Sequence, residues 1–215
     1  MATRLARYGG HAVCIEDPPE LPLSGWHGAG HCMQIPVNGD ARASDGSGSF
    51  ATSLKKSLRL FPAIQGGSIL MVGEVRDADT AAEVLLAATN GHLVITTFHG
   101  FQIPGALQRF EAMASDKLGE ATGPALLAAT LRGALFHRLS LDQDKTGWEA
   151  GSLSGDLLWS PKGKDGSNTP LGAALRARNW EAVGRAVASQ NDRLGKTKPE
   201  ASLDVMKTQF LNDKL

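Results

Sequence analysis

Two absences bound what this 215-residue chain can be. It holds only two cysteines, Cys14 and Cys32, too few for a disulfide framework in a chain of this size. A reducing, cytoplasmic setting is the expectation. No segment approaches the roughly 20 consecutive apolar residues that a membrane-spanning helix needs. Residues 1–10 carry no long apolar run and do not read as a secretory signal. There is no excess charge of either sign: 22 basic residues stand against 22 acidic ones, so nothing draws the whole chain to nucleic acid or an anionic surface. Tryptophans 26, 148, 159 and 180 are scattered, which argues against a stacking platform for single strands. Most telling, no GxxxxGK[ST] sequence occurs, so the chain lacks the glycine-rich loop and lysine that cradle a triphosphate.

What is present is a core. Hydrophobic residues make up 42% of the chain, enough for one α/β domain with a helical appendage. Residues 2–8 read as the tail of a helix stopped by Gly9 and Gly10. The run 11–15, HAVCI, reads as a buried strand ending at Glu16-Asp17-Pro18-Pro19, where two prolines end ladder pairing. Residues 24–50 read as an irregular excursion with an edge strand near 33–37, and 53–60 as a short amphipathic helix ending before Pro62.

The middle is the most regular part. SILMV at 68–72 is a strand. Asp77 and Thr80 are both candidate N-caps of an alanine- and leucine-rich helix over 81–89, which Asn90-Gly91 closes. HLVITT at 92–97 is a second strand. Strand, helix and strand in about 30 residues form a βαβ unit, whose strands are parallel with a right-handed crossover. Helical periodicity returns at 104–113 and 123–139. A weak strand is expected at 156–159, then helices over 170–190, broken near Asn179, and over 201–213.

Ligands of parallel α/β sheets bind at the carboxyl ends of the strands. Three apolar strands end here in polar residues: Glu16-Asp17, Gly73-Glu74, and Thr96-Thr97 with His99 just beyond. If these strands are neighbours, two carboxylates, a hydroxyl pair and an imidazole converge on one rim. Such a set suits phosphoryl transfer: one carboxylate for hydrated magnesium, another for water, and a polar group for the terminal phosphate.

These residues carry a family resemblance. GEVRDADTAAEVLLAATNGHLVITTFHG resembles the Walker B and His-box region of the type II/type IV secretion ATPases, among them pilus-retraction and conjugative-pilus motors. HAVCIEDPPE resembles their aspartate box. LLAATLRGALFHRLS resembles the helix after the His box, with His137 where a glutamine is usual, and the last third resembles their C-terminal helices more weakly. The resemblance implies a RecA-like P-loop NTPase core, a mostly parallel sheet flanked by helices, over 1–140, and a C-terminal helical portion over 141–215. It implies that Glu16 is the catalytic carboxylate. Glu74 would be the Walker B acid, bearing on Mg2+ through water, with Asp17 a weaker metal candidate. His99, His92, Thr97 and Arg76 would sense nucleotide or phosphate. ATP and Mg2+ would be the cofactors. A homo-hexamer would work at the cytoplasmic face of the inner membrane on a platform protein, with no direct nucleic-acid contact.

The missing phosphate loop departs from that pattern. The family places it before the aspartate box, so the chain reads as N-terminally truncated, an ATPase fragment of a pilus, secretion or conjugative transfer system. The rival reading is a non-catalytic assembly module that cannot bind ATP by itself. A third reading takes His27, His31 and Cys32 as zinc ligands; a fourth ligand at regular spacing is missing, and a solvated loop is the plainer alternative.

Overall fold

The computed structural model describes residues 1–37, 50–60, 67–143, 148–160 and 169–196. They fall into two compact units, one of the described residues within 1–100 and 106–130 and one of 101–105 and the described residues from 131 onward.

The first unit is a five-stranded sheet with helices packed on it. The sheet holds β1 (Gly10–Glu16), β2 (Gly25–His27), β3 (Gly30–Pro36), β4 (Ser68–Val72) and β5 (Leu93–Thr96) in the order β2-β3-β1-β4-β5. All neighbours are parallel except the short β2–β3 hairpin. This is the mostly parallel sheet flanked by helices that the resemblance implies. The strand expected at the sheet edge near 33–37 lies inside it instead. It is β3, flanked by β1 and β2, and it starts earlier, at Gly30.

The central strands are apolar throughout because both faces are covered. Helix α1 (Ala2–Tyr8) brings Leu5 onto Ala12, Cys14, Cys32 and Ile69. Glycine permits this approach. A β-carbon on Gly30 would stand 2.9 Å from the Leu5 β-carbon, and one on Gly28, whose φ is +59°, 2.7 Å from the Ala6 carbonyl oxygen. The alternate residues Val13, Ile15, Leu70 and Val72 are also buried. Helices α2 (Phe50–Leu60) and α3 (Ala78–Thr89) pack against each other and reach β1 and β5 respectively.

Helix α3 shows why the βαβ unit is so legible. Of the two candidate caps, Asp77 is the one used: its Oδ1 accepts from the Thr80 backbone N–H at 2.7 Å and its Oδ2 from the Thr80 hydroxyl at 3.0 Å. Thr80, Ala81, Val84, Leu85 and Ala87 then form the buried face. Helices α4 (Ile103–Leu118) and α5 (Thr122–Thr130) follow, and α5 packs on α3.

The helix expected over 123–139 stops at Thr130. From Gly133 the chain is strand β6 (Gly133–Gln143), paired antiparallel with β7 (Trp148–Trp159), so the weak strand expected at 156–159 is the end of a much longer one. The composition of 131–139 suits a helix, but the side chains of 133–138 alternate across a ribbon once a partner strand is present. Helices α6 (Pro170–Arg176) and α7 (Trp180–Lys196) complete this unit, with the expected break at Asn179. Leu158, Leu175 and Val183 are fully buried there. The amides of Gln190 and Asn191 on α7 pair with the backbone of β7 at Trp159 and Leu157. The helix expected over 201–213 lies outside the described residues. Among the described residues no helix is long and apolar enough to cross a membrane.

Candidate functional site

At the carboxyl ends of β1, β4 and β5 the strand register brings the predicted polar residues together. Ile15 on β1 lies opposite Val72 on β4, which lies opposite Thr96 on β5, so the next residues along each strand, Glu16, Gly73 and Thr97, share one rim. Gly73 is bonded on both sides. Its N–H donates to the Ile15 carbonyl at 2.8 Å, and its carbonyl accepts from the Thr97 hydroxyl. The Val75 N–H in turn donates to the Thr97 carbonyl at 3.1 Å. A hydrogen-bonded seam therefore crosses all three strand ends.

Two carboxylates stand on this seam in different settings. Glu16 is buried, at 7% exposure, and its Oε2 accepts from the side-chain amide of Gln34 at 2.8 Å. A carboxylate so far from water is costly unless hydrogen-bonded, and Gln34 supplies that bond. Glu74 is more open. Its Oε2 accepts from Arg76 Nε at 2.6 Å and its Oε1 lies 2.9 Å from His99 Nε2. The guanidinium of Arg76 is pushed further up in pKa by its bond to Glu74 and then by the charge of that carboxylate, with a smaller contribution from Asp17. Asp17 itself is exposed, at the turn where the Asp17–Pro18 peptide is cis.

Glu16, Glu74, Thr97, His99 and Arg76 thus gather at one rim, with Asp17 beside them. His92 does not join them. It precedes β5, at the opposite end of the sheet, where it is buried and pairs through Nδ1 with the Ser68 hydroxyl at the start of β4. Burial lowers its pKa. The zinc reading loses its geometry. Cys32 is fully buried with its sulfur 3.5 Å from that of Cys14, His31 points to the opposite face of β3 and packs edge-on against Trp26, and His27 bonds the Leu23 carbonyl at 2.7 Å. Among the described residues no group of three metal-ligating side chains forms.

Sequence reasoning missed Gln34, which lies on the misjudged strand, 18 positions after Glu16. Only the parallel pairing of β1 with β3 reveals it, and no periodicity in the chain announces that pairing.

Chemically, the rim can orient water on a buried carboxylate and hold a hydrated divalent cation near a second. Magnesium keeps several waters and can take a single carboxylate, which fits the more open Glu74.

A family model described as type II/IV secretion system protein matches residues 3–195. Over 128 residues the chain is 38% identical to the type IV pilus assembly ATPase TfpB of Acinetobacter baylyi, covering 59% of this chain and 18% of that protein. Over 167 residues it is 29% identical to the type II secretion system protein E of Dickeya dadantii, covering 73% of this chain and 29% of that protein. Its fold matches the crystal structure of the pilus retraction motor PilT with bound ADP at a TM-score of 0.60 and 24% identity, over 90% of this chain and 52% of that one. The last likeness is one of fold. The matched segment is thus 18% and 29% of the two sequence relatives' own lengths.

Proposed function

The chain belongs to the type II/IV secretion system protein family, and on that premise we propose that it carries the acidic half of an ATP-hydrolysis site in a motor of pilus dynamics, secretion or conjugative transfer. The observation that supports this most directly is the pair of carboxylates on adjacent parallel strands: Glu16, buried and fixed, at the end of β1, and Glu74, partly open, just past the end of β4.

The two settings suit two tasks. Glu16 orients the attacking water and takes its proton, which needs a carboxylate of fixed direction. Glu74 bears on the waters of a magnesium ion, with Arg76 balancing its charge and His99 Nε2 within hydrogen-bond reach of it. Bound Mg-ATP would supply the phosphoanhydride bond and the metal's neutralising charge. Thr97 holds Gly73 in place beneath the pair. His99, 86% exposed, is free to exchange Glu74 for a phosphate oxygen. His92, at the far end of the sheet, is a packing residue in this reading.

The 215 residues contain no GxxxxGK[ST], so the phosphate cradle of this site comes from residues outside them. In the family setting the motor would be a homo-hexamer on an inner-membrane platform protein at the cytoplasmic face. The even charge balance speaks against direct nucleic-acid contact.

The test is Mg-ATP binding and turnover in the assembly that includes the phosphate loop, with Glu16→Gln and Glu74→Gln as variants. Each should lower kcat by about a hundredfold or more while the fold persists. Wild-type turnover unchanged by either substitution would overturn the reading. A protein that assembles yet binds no ATP even in the presence of the phosphate loop would favour the non-catalytic assembly module.

A further inference from the structure

The geometry points to Gln34 as the positioning residue of this site, the group that aims and holds the Glu16 carboxylate; the inference rests on the reading of Glu16 as the catalytic carboxylate. Gln34 uses its whole hydrogen-bonding capacity in four contacts. Its Nε2 donates to Glu16 Oε2 and to the Leu21 carbonyl, both at 2.8 Å. Its Oε1 accepts from the N–H groups of Leu23 at 2.8 Å and Ser24 at 2.9 Å. A side-chain amide offers two N–H donors and two acceptor lone pairs, and all four are taken.

The partners also fix which way the amide faces. A carboxylate and a carbonyl demand the nitrogen, and two backbone N–H groups demand the oxygen. Flipping the amide would set oxygen against oxygen on one side and N–H against N–H on the other.

The strand register explains why a glutamine stands here. Gln34 on β3 lies opposite Cys14 on β1, two positions before Glu16, and alternation places Cys14 and Glu16 on the same face. The side chain must reach diagonally along the sheet and outward to the 21–24 segment. The result is a staple that ties the chain leaving β1 back onto β3 while locking Glu16. One free carboxylate rotamer is thereby removed before substrate arrives, which is how positioning contributes to rate.

A mere loop staple and a positioning residue make different predictions, and Gln34→Glu separates them. It keeps an acceptor for Leu23 and Ser24 but replaces the donor facing Glu16 with a second carboxylate. Gln34→Leu removes both functions. In the full chain, Gln34→Glu should keep slow amide exchange at Leu23 and Ser24, lower the unfolding temperature by about 3 °C, and regain most of that loss when Glu16→Gln is added. In the ATP-hydrolysing assembly, both single variants should lower kcat at least about tenfold with KM for ATP within about twofold. Gln34→Glu with unchanged kcat while Glu16→Gln abolishes turnover would overturn the assignment and leave the site reading standing. Purely additive unfolding shifts in the double variant would also overturn it. Unchanged turnover in Glu16→Gln itself would instead sink the site reading on which it rests.

Discussion

Gly73 lies directly against Glu16: a β-carbon built on it would stand 3.3 Å from the Ile15 carbonyl oxygen and 3.7 Å from the Glu16 γ-carbon. The acidic strand end of β4 therefore has room for a carboxylate at position 74 but is tight for a side chain at 73. Gly73→Ala should destabilise the fold by about 1 kcal/mol, a loss of roughly 2–4 °C in thermal unfolding, and Gly73→Val by more. It should also lower turnover, because the Ile15 carbonyl, one residue before Glu16, is the neighbour that has to give. Thermal scans of both variants check the first claim and kinetics the second. Full stability in Gly73→Val would show that the strands are not this close.

His92 gives a pH dependence with a definite sign. Burial lowers its pKa below the usual value of about 6.5, so the unfolded chain binds its proton more readily than the folded one. The contribution of the neutral, Ser68-paired ring to stability is complete above about pH 6.5 and is lost as pH falls toward the depressed folded value. His92→Gln should flatten the dependence of unfolding temperature on pH between about 5 and 7. A wild-type slope in the variant would assign the effect to another group.

The two cysteines should be inert in the folded state. Both are fully buried, and burial raises both thiol pKa values, Cys14 the more strongly. Only the thiolate reacts. Alkylation by iodoacetamide at pH 8 should run about a hundredfold slower or more in the native chain than in denaturant. Equal rates would mean that the α1 cover over Cys14 and Cys32 opens readily.

How much of this was legible in the sequence depends on how local the cause is. The β4–α3–β5 unit declares itself because each boundary has its own chemical mark: continuous apolar runs, Asp77 as cap, Asn90-Gly91 as stop. The convergence of Glu16, Glu74, Thr97 and His99 was legible as a conditional, true if the strands are neighbours, and the register meets that condition. His92 and His99 look alike as letters seven positions apart. Only their places before and after β5 put them at opposite ends of the sheet. What could not be read depends on distant partners. Residues 133–139 have a helix-compatible composition and become strand through pairing with β7, and Gln34 meets Glu16 only because β3 lies beside β1.

The position of β5 has a consequence for handling and for growth of the sheet. It is the last strand in the order, with Leu93 and Ile95 each 40% exposed on one face, and its outer backbone groups have no strand beside them among the described residues. An apolar border of this kind is adhesive. In dilute solution it invites self-association, and that tendency should rise with protein concentration. A strand that joined it in parallel would have its carboxyl end delivered beside Thr97, one strand away from Glu74. The border that makes the isolated chain sticky is therefore also the direction from which further polar groups can be added to the acidic rim.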